Sequence, residues 1–191
     1  MHTRVRCPRP GLEIHILDDE GVPVPVGTPG HIYFAGEESP FEYKDDPEKT
    51  AEARRGTRFT LGDIGRVDDE GYLYLLDRRA DIIISGGVNI YPAEIESALL
   101  ELASVSDCCA VGIPNDEWGE EVRVVIEVDR ARAPGDRELA DAILDHCRQR
   151  LAGYQVPRGV DFVEKLPRTE TGKLARRTVR EPYWADRDRR I

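Results

Sequence analysis

The first side chain suited to chemistry is Asp63, a carboxylate that lies between two glycines in the turn Gly-Asp-Ile-Gly. A carboxylate offers two acceptor oxygens and can therefore hold both hydroxyls of a ribose. An aspartate at such a position can instead cap its own turn, because its side chain accepts hydrogen bonds from nearby backbone amides. The tetrapeptide alone favours this structural role.

Two arginines, Arg78 and Arg79, lie in the charged run Asp77–Asp81. A guanidinium at this point can hold a ribose or phosphate oxygen. It can also pair with Asp77 or Asp81 as an ion pair within a linker. Without further context, the run favours the ion pair.

Lys173 follows Gly172 in the segment LPRTETGK. The segment is not a Walker A loop, because Pro167 stands where the first glycine would be and Leu174 follows the lysine. A lysine on a glycine turn can extend its ammonium to bridge a carboxylate and an α-phosphate, both of which gain charge as a mixed anhydride forms. The alternative is a solvated lysine on a surface loop, which the octapeptide alone favours.

The glycine pair Gly86-Gly87 ends an apolar strand, Ile82–Ile84. The pair can form a simple tight turn, or it can let a narrow substrate arm pass close to the backbone, because neither residue has a side chain. The four histidines have no ligand spacing, and no zinc, EF-hand or Ser-His-Asp pattern is present. The sequence therefore predicts no metal site of its own.

The composition limits the partners of the chain. Its formal net charge of −10 argues against non-specific binding to nucleic acid or to an anionic membrane. No apolar run approaches the length of a membrane span, and residues 1–10 lack the apolar region of a signal peptide. We expect a cytoplasmic protein. Its cysteines, expected to be reduced and near the core, are Cys7, Cys108, Cys109 and Cys147.

Hydrophobic periodicity predicts two regions of different character. Alternating apolar residues predict strands near 12–16, 31–35, 64–67 and 72–76, and Asp46-Pro47 predicts a helix start. After Asp81, helices are predicted over Pro92–Leu102 and Asp136–Leu151, with strands near 105–111, 122–128 and 160–163. The predicted class is α+β, with a small antiparallel β-barrel-like subdomain followed by an α+β domain. The charged tail from Glu181 is expected to be loosely ordered, although Tyr183 and Trp184 can dock.

The order and separation of these segments resemble one family closely, the AMP-forming acyl-CoA synthetases among the adenylate-forming enzymes. FTLGDIG resembles the family's seventh core motif, whose aspartate binds the ribose hydroxyls, which implies that role for Asp63. DRRADIIISGGVNIYPAEIE resembles the eighth motif, whose arginine contacts the nucleotide, which implies that role for Arg78. LPRTETGK is similar to the tenth motif, whose lysine catalyses adenylate formation, which implies that role for Lys173.

The resemblance also implies a layout. Residues 1–77 would be the last β subdomain of a large N-terminal domain, incomplete here, and residues 81–191 a mobile lid that turns on a hinge at 78–80. One lid orientation presents the lysine for adenylation of a carboxylic acid by ATP. The other presents the glycine pair, which in the family lines the pantetheine tunnel for CoA. This implies a CoA-tunnel role for Ser85, Gly86 and Gly87.

Two departures from the family pattern shape the functional hypotheses. The hinge position is usually Asp or Lys, and here it is Ala80. The phosphate loop and acyl pocket have no match in this chain, and the ligands of the Mg²⁺ that the family implies lie outside it. We therefore expect the C-terminal part of an ATP-dependent acyl-CoA ligase, inactive without an N-terminal portion and specifying no acyl substrate. The alternatives are a non-catalytic module that binds a nucleotide or a partner, and a relic without function.

Overall fold

The computed structural model of the chain describes residues 3–6, 11–36, 42–128 and 135–185. The chain divides into two compact units, Met1–Ala80 and Asp81–Ile191. It combines helices with antiparallel sheets, which confirms the predicted α+β class. The predicted roles of residues 1–77 and 81–191, and of 78–80 as a hinge between them, stay predictions.

One antiparallel sheet of seven strands organises the first unit. Its strands are β1 (Thr3–Arg6), β2 (Leu12–Leu17), β3 (Gly30–Gly36), β4 (Arg54–Arg55), β5 (Arg58–Phe59), β6 (Asp63–Val67) and β7 (Tyr72–Arg78). They lie in the order β1-β7-β6-β3-β5-β4, and β2 also pairs with β3. Over the described ranges this order does not return to its first strand, so the barrel-like subdomain is an open sheet.

Local sequence signals in the first unit act as predicted. The helix α1 (Pro47–Glu52) begins with proline, and the Asp46 side chain accepts a hydrogen bond from the Lys49 amide at 3.0 Å. In the turn between β6 and β7, the Asp68 side chain accepts the Tyr72 amide at 2.9 Å. Gly71 in that turn has a φ of +80°, which glycine adopts without strain.

The second unit contains a mixed sheet of five strands with three helices over the described residues. The strands are β8 (Ile83–Ser85), β9 (Val88–Ile90), β10 (Val105–Asn115), β11 (Gly119–Val128) and β12 (Gly159–Val163). The helices are α2 (Pro92–Leu99), α3 (Asp136–Arg150) and α4 (Arg176–Trp184). β11 is the central strand: it pairs antiparallel with β10 and β8 and parallel with β12.

Helices cover both faces of this sheet. One face packs against α2 and α3 in a core that includes Ile95 and Ile143. The other face packs against α4 through a smaller core that includes Leu166 and Val179. Burial of apolar surface on both faces is the main stabilising term for such a layered domain.

The adjacent residues Cys108 and Cys109 point to opposite faces of β10, as strand geometry requires. Burial raises the pKa of the Cys109 thiol to about 12 and that of Cys147 to about 11, and it raises the pKa of Cys108 as well. The described cysteines are therefore buried, neutral core residues. The prediction for Cys7 falls outside the described residues.

Two elements of the second unit differ from the sequence-based expectation. The glycine pair is followed by a strand, β9, before the helix near Pro92 begins. The tail expected to be loosely ordered from Glu181 is helical as far as Trp184, so that expectation is wrong over these residues. Tyr183 and Trp184 do dock, through hydrogen bonds to Asp161 at 2.5 Å and to the Gly112 carbonyl at 2.9 Å. Residues 186–191 lie outside the described part of the chain.

Asp161 on β12 accepts hydrogen bonds at its Oδ2 from Arg123 Nε at 2.8 Å and from the Tyr183 hydroxyl at 2.5 Å. Burial alone would raise the pKa of Asp161, but these donors outweigh burial and hold its pKa below the usual value. A lowered folded-state pKa means that the carboxylate stabilises the fold above its unfolded pKa of about 3.9. That stabilisation is lost as pH falls through the folded-state pKa.

We expect Asp161→Asn to lower the free energy of unfolding of the second unit by about 1 kcal/mol at neutral pH, and we expect this difference to shrink below about pH 4. Denaturant unfolding followed by fluorescence measures it, because both tryptophans, Trp118 and Trp184, lie in the second unit. Asp141→Asn, an exposed position on α3, is the matched control. A loss that is equally large in acid would contradict the assignment.

Candidate functional site

The structure brings Asp63 and Arg78 together in the first unit. Asp63 begins β6, Arg78 ends β7, and the two are partners in the antiparallel register. Arg78 Nε lies 3.6 Å from Asp63 Oδ1. Gly62 has a φ of +81° and forms the turn that enters β6, and its carbonyl accepts the Arg79 amide at 2.8 Å. The sheet register thus fixes a carboxylate beside a guanidinium.

This pair keeps capacity for further hydrogen bonds. The Asp63 side chain is 29% exposed and that of Arg78 is 68% exposed. A separation of 3.6 Å is an ion pair and too long for a hydrogen bond, so the carboxylate oxygens can still accept hydroxyl donors. The exposed guanidinium can donate to an anionic oxygen. The pair therefore fits a ribose and its adjoining phosphate.

The ion pairs in the charged run Asp77–Asp81 have other partners than the predicted ones, in which an arginine of the run would pair with Asp77 or Asp81. Arg78 pairs with Asp63, and Asp81 pairs with Arg176 of α4, whose Nε lies 3.6 Å away. Ala80 is exposed in the middle of a single 3-10 turn, Arg79–Asp81, and the division between the two units follows it. Its role as a hinge stays a prediction.

The glycine hairpin, Ile83–Ile90, consists of β8, the turn Gly86-Gly87 and β9. The two glycines have φ values of +58° and +79°, and positive φ at both central residues is typical of a type I′ turn. The Gly86 amide donates to the Trp118 carbonyl at 2.8 Å. Ser85 ends β8 and pairs with Gly119 of β11.

The two glycines meet different surroundings. A Cβ added at Gly86 would lie 2.7 Å from Trp118 Cε3, whereas a Cβ added at Gly87 would meet no atom within 4 Å. Gly86 therefore packs closely against the indole ring, whereas Gly87 faces open space. The CoA-tunnel role of Ser85, Gly86 and Gly87 stays a prediction.

Lys173 projects from a turn whose backbone is fixed. The Thr169 amide donates to the Lys173 carbonyl at 2.8 Å, and the Lys173 amide donates to the Thr169 hydroxyl at 3.1 Å. Gly172 has a φ of +81° and allows the chain to close the turn. Arg168 anchors the turn through an ion pair with Asp107 of β10. The lysine is exposed, and its fixed backbone directs a long cationic side chain outward.

Sequence reasoning missed a buried ion pair behind this turn. Arg176 of α4 donates from Nη1 to Glu96 Oε1 at 2.5 Å and to the Ala110 carbonyl at 2.7 Å. Both charged side chains are only 16% exposed. Burial would lower the pKa of Arg176, but the hydrogen bond and charge of Glu96 outweigh it and the pKa is raised. The signal that was available is the four-residue spacing of Arg176 and Arg180, which places both on one helix face.

The described residues do not gather a metal site or a membrane span. No three histidine, cysteine, aspartate or glutamate side chains in that part of the chain come together as ligands. None of its helices combines the length and the apolarity that crossing a membrane requires.

Comparison with known proteins identifies relatives of this chain. Residues 94–173 match the family described as AMP-binding enzyme C-terminal domain. A feruloyl-CoA synthase from Amycolatopsis sp is 41% identical over 172 residues, which are 90% of this chain and 34% of the relative. A 2-succinylbenzoate–CoA ligase from Geobacillus kaustophilus is 41% identical over 168 residues, 88% of this chain and 33% of the relative.

A solved structure has the same fold over most of this chain. ATP-bound MatB from Rhodopseudomonas palustris matches with a TM-score of 0.82 and 33% identity, over 93% of this chain and 35% of that protein. This chain spans about a third of the length of the curated relatives it matches.

Proposed function

We propose that this chain supplies the lid and hinge of an AMP-forming acyl-CoA ligase. The reason is that the chain belongs to the adenylate-forming enzymes and matches the C-terminal portion of their acyl-CoA ligases. The observation that carries the proposal is the placement of the motif residues. Asp63 lies beside Arg78, Gly87 faces open space, and Lys173 projects from a fixed turn. The complete enzyme would act on a carboxylic acid, ATP and CoA, and we propose a cytoplasmic location.

In this proposal the first unit holds the nucleotide. The Asp63 carboxylate accepts hydrogen bonds from the ribose hydroxyls, and the neighbouring Arg78 guanidinium donates to an oxygen of the same nucleotide. ATP, when bound, would supply the adenylyl group: the substrate carboxylate oxygen would bond to the α-phosphorus, and pyrophosphate would leave. The ion pair between Asp63 and Arg78 orients both side chains before the nucleotide arrives, which lowers the entropy lost on binding.

Lys173 acts on the first half-reaction. Its ammonium contacts an oxygen of the substrate carboxylate and one of the α-phosphate, and it stabilises the charge that builds up between them. The fixed turn at Thr169 and Gly172 limits the motion of the lysine backbone, so less freedom is lost as the ammonium is positioned.

The second half-reaction, thioester formation with CoA, uses the glycine hairpin of the second unit. Rotation of the backbone near Ala80 would withdraw Lys173 and present the glycine hairpin, with the open side of Gly87 toward the pantetheine arm of CoA. The thiol then attacks the acyl carbonyl, and AMP leaves. Because the alanine side chain has no polar atom, it cannot form a polar contact that favours one lid orientation over the other. Rotation would then depend on the backbone alone.

A hybrid enzyme tests the proposal. This whole chain would replace the aligned C-terminal third of the feruloyl-CoA synthase from Amycolatopsis sp, and pyrophosphate release and acyl-CoA formation would be measured with ferulate. We expect both reactions in the hybrid and neither in the relative deprived of that third. A hybrid that folds and binds ATP but releases no pyrophosphate would overturn the proposal.

The alternative is a module that binds a nucleotide without catalysis, and one observation favours it. Asp63 and Arg78, the residues proposed to bind the nucleotide, both lie within this chain and form an ion pair. Calorimetry on the whole chain with AMP and with CoA tests this alternative. AMP binding that is lost in Asp63→Ala, together with an inactive hybrid, would favour the binding module over the ligase.

Gly87→Ala should impair thioester formation selectively. The added methyl group meets no neighbour, so the variant pays only the backbone strain of a positive φ, about 1–2 kcal/mol. We expect acyl transfer to CoA in the hybrid to fall about tenfold or more because the methyl group narrows the path, with pyrophosphate release within about twofold of the unmodified hybrid. Stopped assays of each half-reaction measure this.

Gly27→Ala is the matched control for that variant. Gly27 has a φ of +83° and equally open surroundings, but it lies in a loop of the first unit and is not part of the hairpin. Equal effects of the two substitutions would show that strain, and not obstruction, is responsible.

A further inference from the structure

Glu120 of β11 is a buried carboxylate that contacts the glycine hairpin. The residue is 8% exposed, and its Oε2 accepts a hydrogen bond from the Ile84 amide at 3.2 Å. In a hairpin closed by the pair Ser85–Val88, the next pair, Ile84–Asn89, does not exchange hydrogen bonds, so the Ile84 amide points away from β9. The Glu120 carboxylate therefore supplies the hydrogen-bond acceptor that a neighbouring strand would otherwise provide for this amide.

Arg180 of α4 neutralises and orients Glu120. Its Nη2 donates to Glu120 Oε1 at 2.7 Å, its Nε donates to the Gly112 carbonyl at 3.2 Å, and its guanidinium lies 4.8 Å from the centre of the Trp184 ring. The two charged side chains are 17% and 11% exposed. A carboxylate buried to this degree needs a cation, because an unpaired buried charge is strongly destabilising.

Space for this ion pair is provided by a glycine. A Cβ added at Gly112 would lie 2.2 Å from Glu120 Oε2, so the glycine leaves room for the carboxylate in its present position beside β10. The arrangement links three elements: α4 through Arg180, β11 through Glu120 and β8 through the Ile84 amide. The helix α4 also begins three residues after Lys173, so one helix adjoins the lysine turn and holds the hairpin.

We infer that Arg180 and Glu120 are positioning residues for the thioester-forming half-reaction, because they fix the glycine hairpin in the second unit. The inference rests on the proposed function for its catalytic consequence, and on the contacts alone for its structural part. Neither residue touches a reacting atom. Their effect is exerted through β8, which carries Ser85 and leads into Gly86-Gly87.

Amide hydrogen exchange on the whole chain, followed residue by residue by NMR, tests the structural part without any ligand. We expect Arg180→Met to accelerate exchange of the Ile84 and Gly86 amides about tenfold or more, while the Val124 amide in the central strand changes little. Arg177→Met is the matched control, because Arg177 lies on the same helix, is 92% exposed and pairs with Glu181 one turn along that helix. Hairpin exchange that is equally slow in both variants would overturn the inference.

Two further variants keep the test decisive if Arg180→Met does not fold. Arg180→Lys retains a cation near Glu120 but cannot reproduce both donor directions of the guanidinium, so we expect intermediate exchange rates. Glu120→Gln retains a side-chain oxygen for the Ile84 amide without the charge. Unchanged hairpin exchange in both of these variants would contradict the positioning role.

The half-reactions of the hybrid test the catalytic part. We expect Arg180→Met to lower acyl transfer from supplied acyl-adenylate to CoA by about 10- to 100-fold, with pyrophosphate release within about threefold. Arg177→Met, the exposed control on the same helix, should not produce this split. Equal loss of both half-reactions in Arg180→Met would overturn the inference. If the unmodified hybrid is inactive, the proposed function fails, and the exchange rates still decide whether Arg180 holds the hairpin.

Discussion

Lys173→Ala is expected to lower acyl-adenylate formation by the hybrid enzyme by about 100- to 1,000-fold, the loss typical when one group that stabilises developing charge is removed. The reason is electrostatic, because the variant leaves the charge that accumulates between carboxylate and α-phosphate without its cation. The turn itself should persist, since its hydrogen bonds involve the backbone of residue 173 and the side chain of Thr169. Pyrophosphate release measures the effect.

The same variant should leave the second half-reaction nearly intact. When acyl-adenylate is supplied, transfer to CoA is expected to stay within about threefold of the unmodified hybrid, because the lysine is needed only while the anhydride forms. Lys165→Ala is the matched control: this lysine is exposed and precedes the same segment. Equal loss of both half-reactions, or an equal effect of Lys165→Ala, would contradict the assignment of Lys173.

Arg176→Met is expected to lower the free energy of unfolding of the second unit by about 3–5 kcal/mol. The substitution leaves the Glu96 carboxylate, 16% exposed, without the bidentate partner that compensates for its burial. It also removes the ion pair to Asp81 and the hydrogen bond to the Ala110 carbonyl. Denaturant unfolding followed by the fluorescence of the two tryptophans measures the loss within this unit.

Two comparisons separate the buried charge from other causes. Arg177→Met, one residue along the helix and 92% exposed, should change stability by less than about 0.5 kcal/mol. The double variant Arg176→Met, Glu96→Leu should recover part of the loss, because it removes the stranded carboxylate together with its partner. A double variant that is as unstable as the sum of both single variants would show that the charge is not the cause.

Many strands and helices of this fold can be predicted from local sequence patterns, because tertiary contacts favour the same secondary structure there. Alternating apolar residues predict the strands β2, β3, β6 and β7, and the three-four spacing predicts α2 and α3. The start of α1 is predicted by Asp46 and Pro47, whose effects on a helix terminus are local. These elements are found within a few residues of the expected bounds.

The helix α4 was not predictable in this way. Its sequence carries Pro182 inside the helix, a residue that removes a backbone donor and argues for a break. The contacts that hold the helix come from distant positions, such as Asp161 for Tyr183 and Gly112 for Trp184. These contacts join positions far apart in sequence, so the sequence of the helix does not show which residues it packs against.

In the candidate site, too, some residues follow from local sequence motifs and others only from contacts between distant positions. The motifs predict roles for Asp63, Arg78, Lys173 and the segment Ser85–Gly87, and the sheet register explains why the first two are neighbours. The ion pair of Arg176 with Glu96 joins residues 80 positions apart, and that of Arg180 with Glu120 joins residues 60 positions apart. In a chain with 34% charged residues, many such pairings are conceivable, and only the packed structure selects among them.

The burial of Cys108, Cys109 and Cys147 makes this chain a convenient host for fluorescent probes. Reagents such as maleimides attack thiolates, which these three residues do not form near neutral pH. With Cys7 replaced by serine, a cysteine introduced at an exposed position in each unit would be labelled alone. A donor and an acceptor dye attached there would report, by energy transfer, whether the backbone turns near Ala80, the predicted hinge, when ATP or CoA is added to the hybrid enzyme.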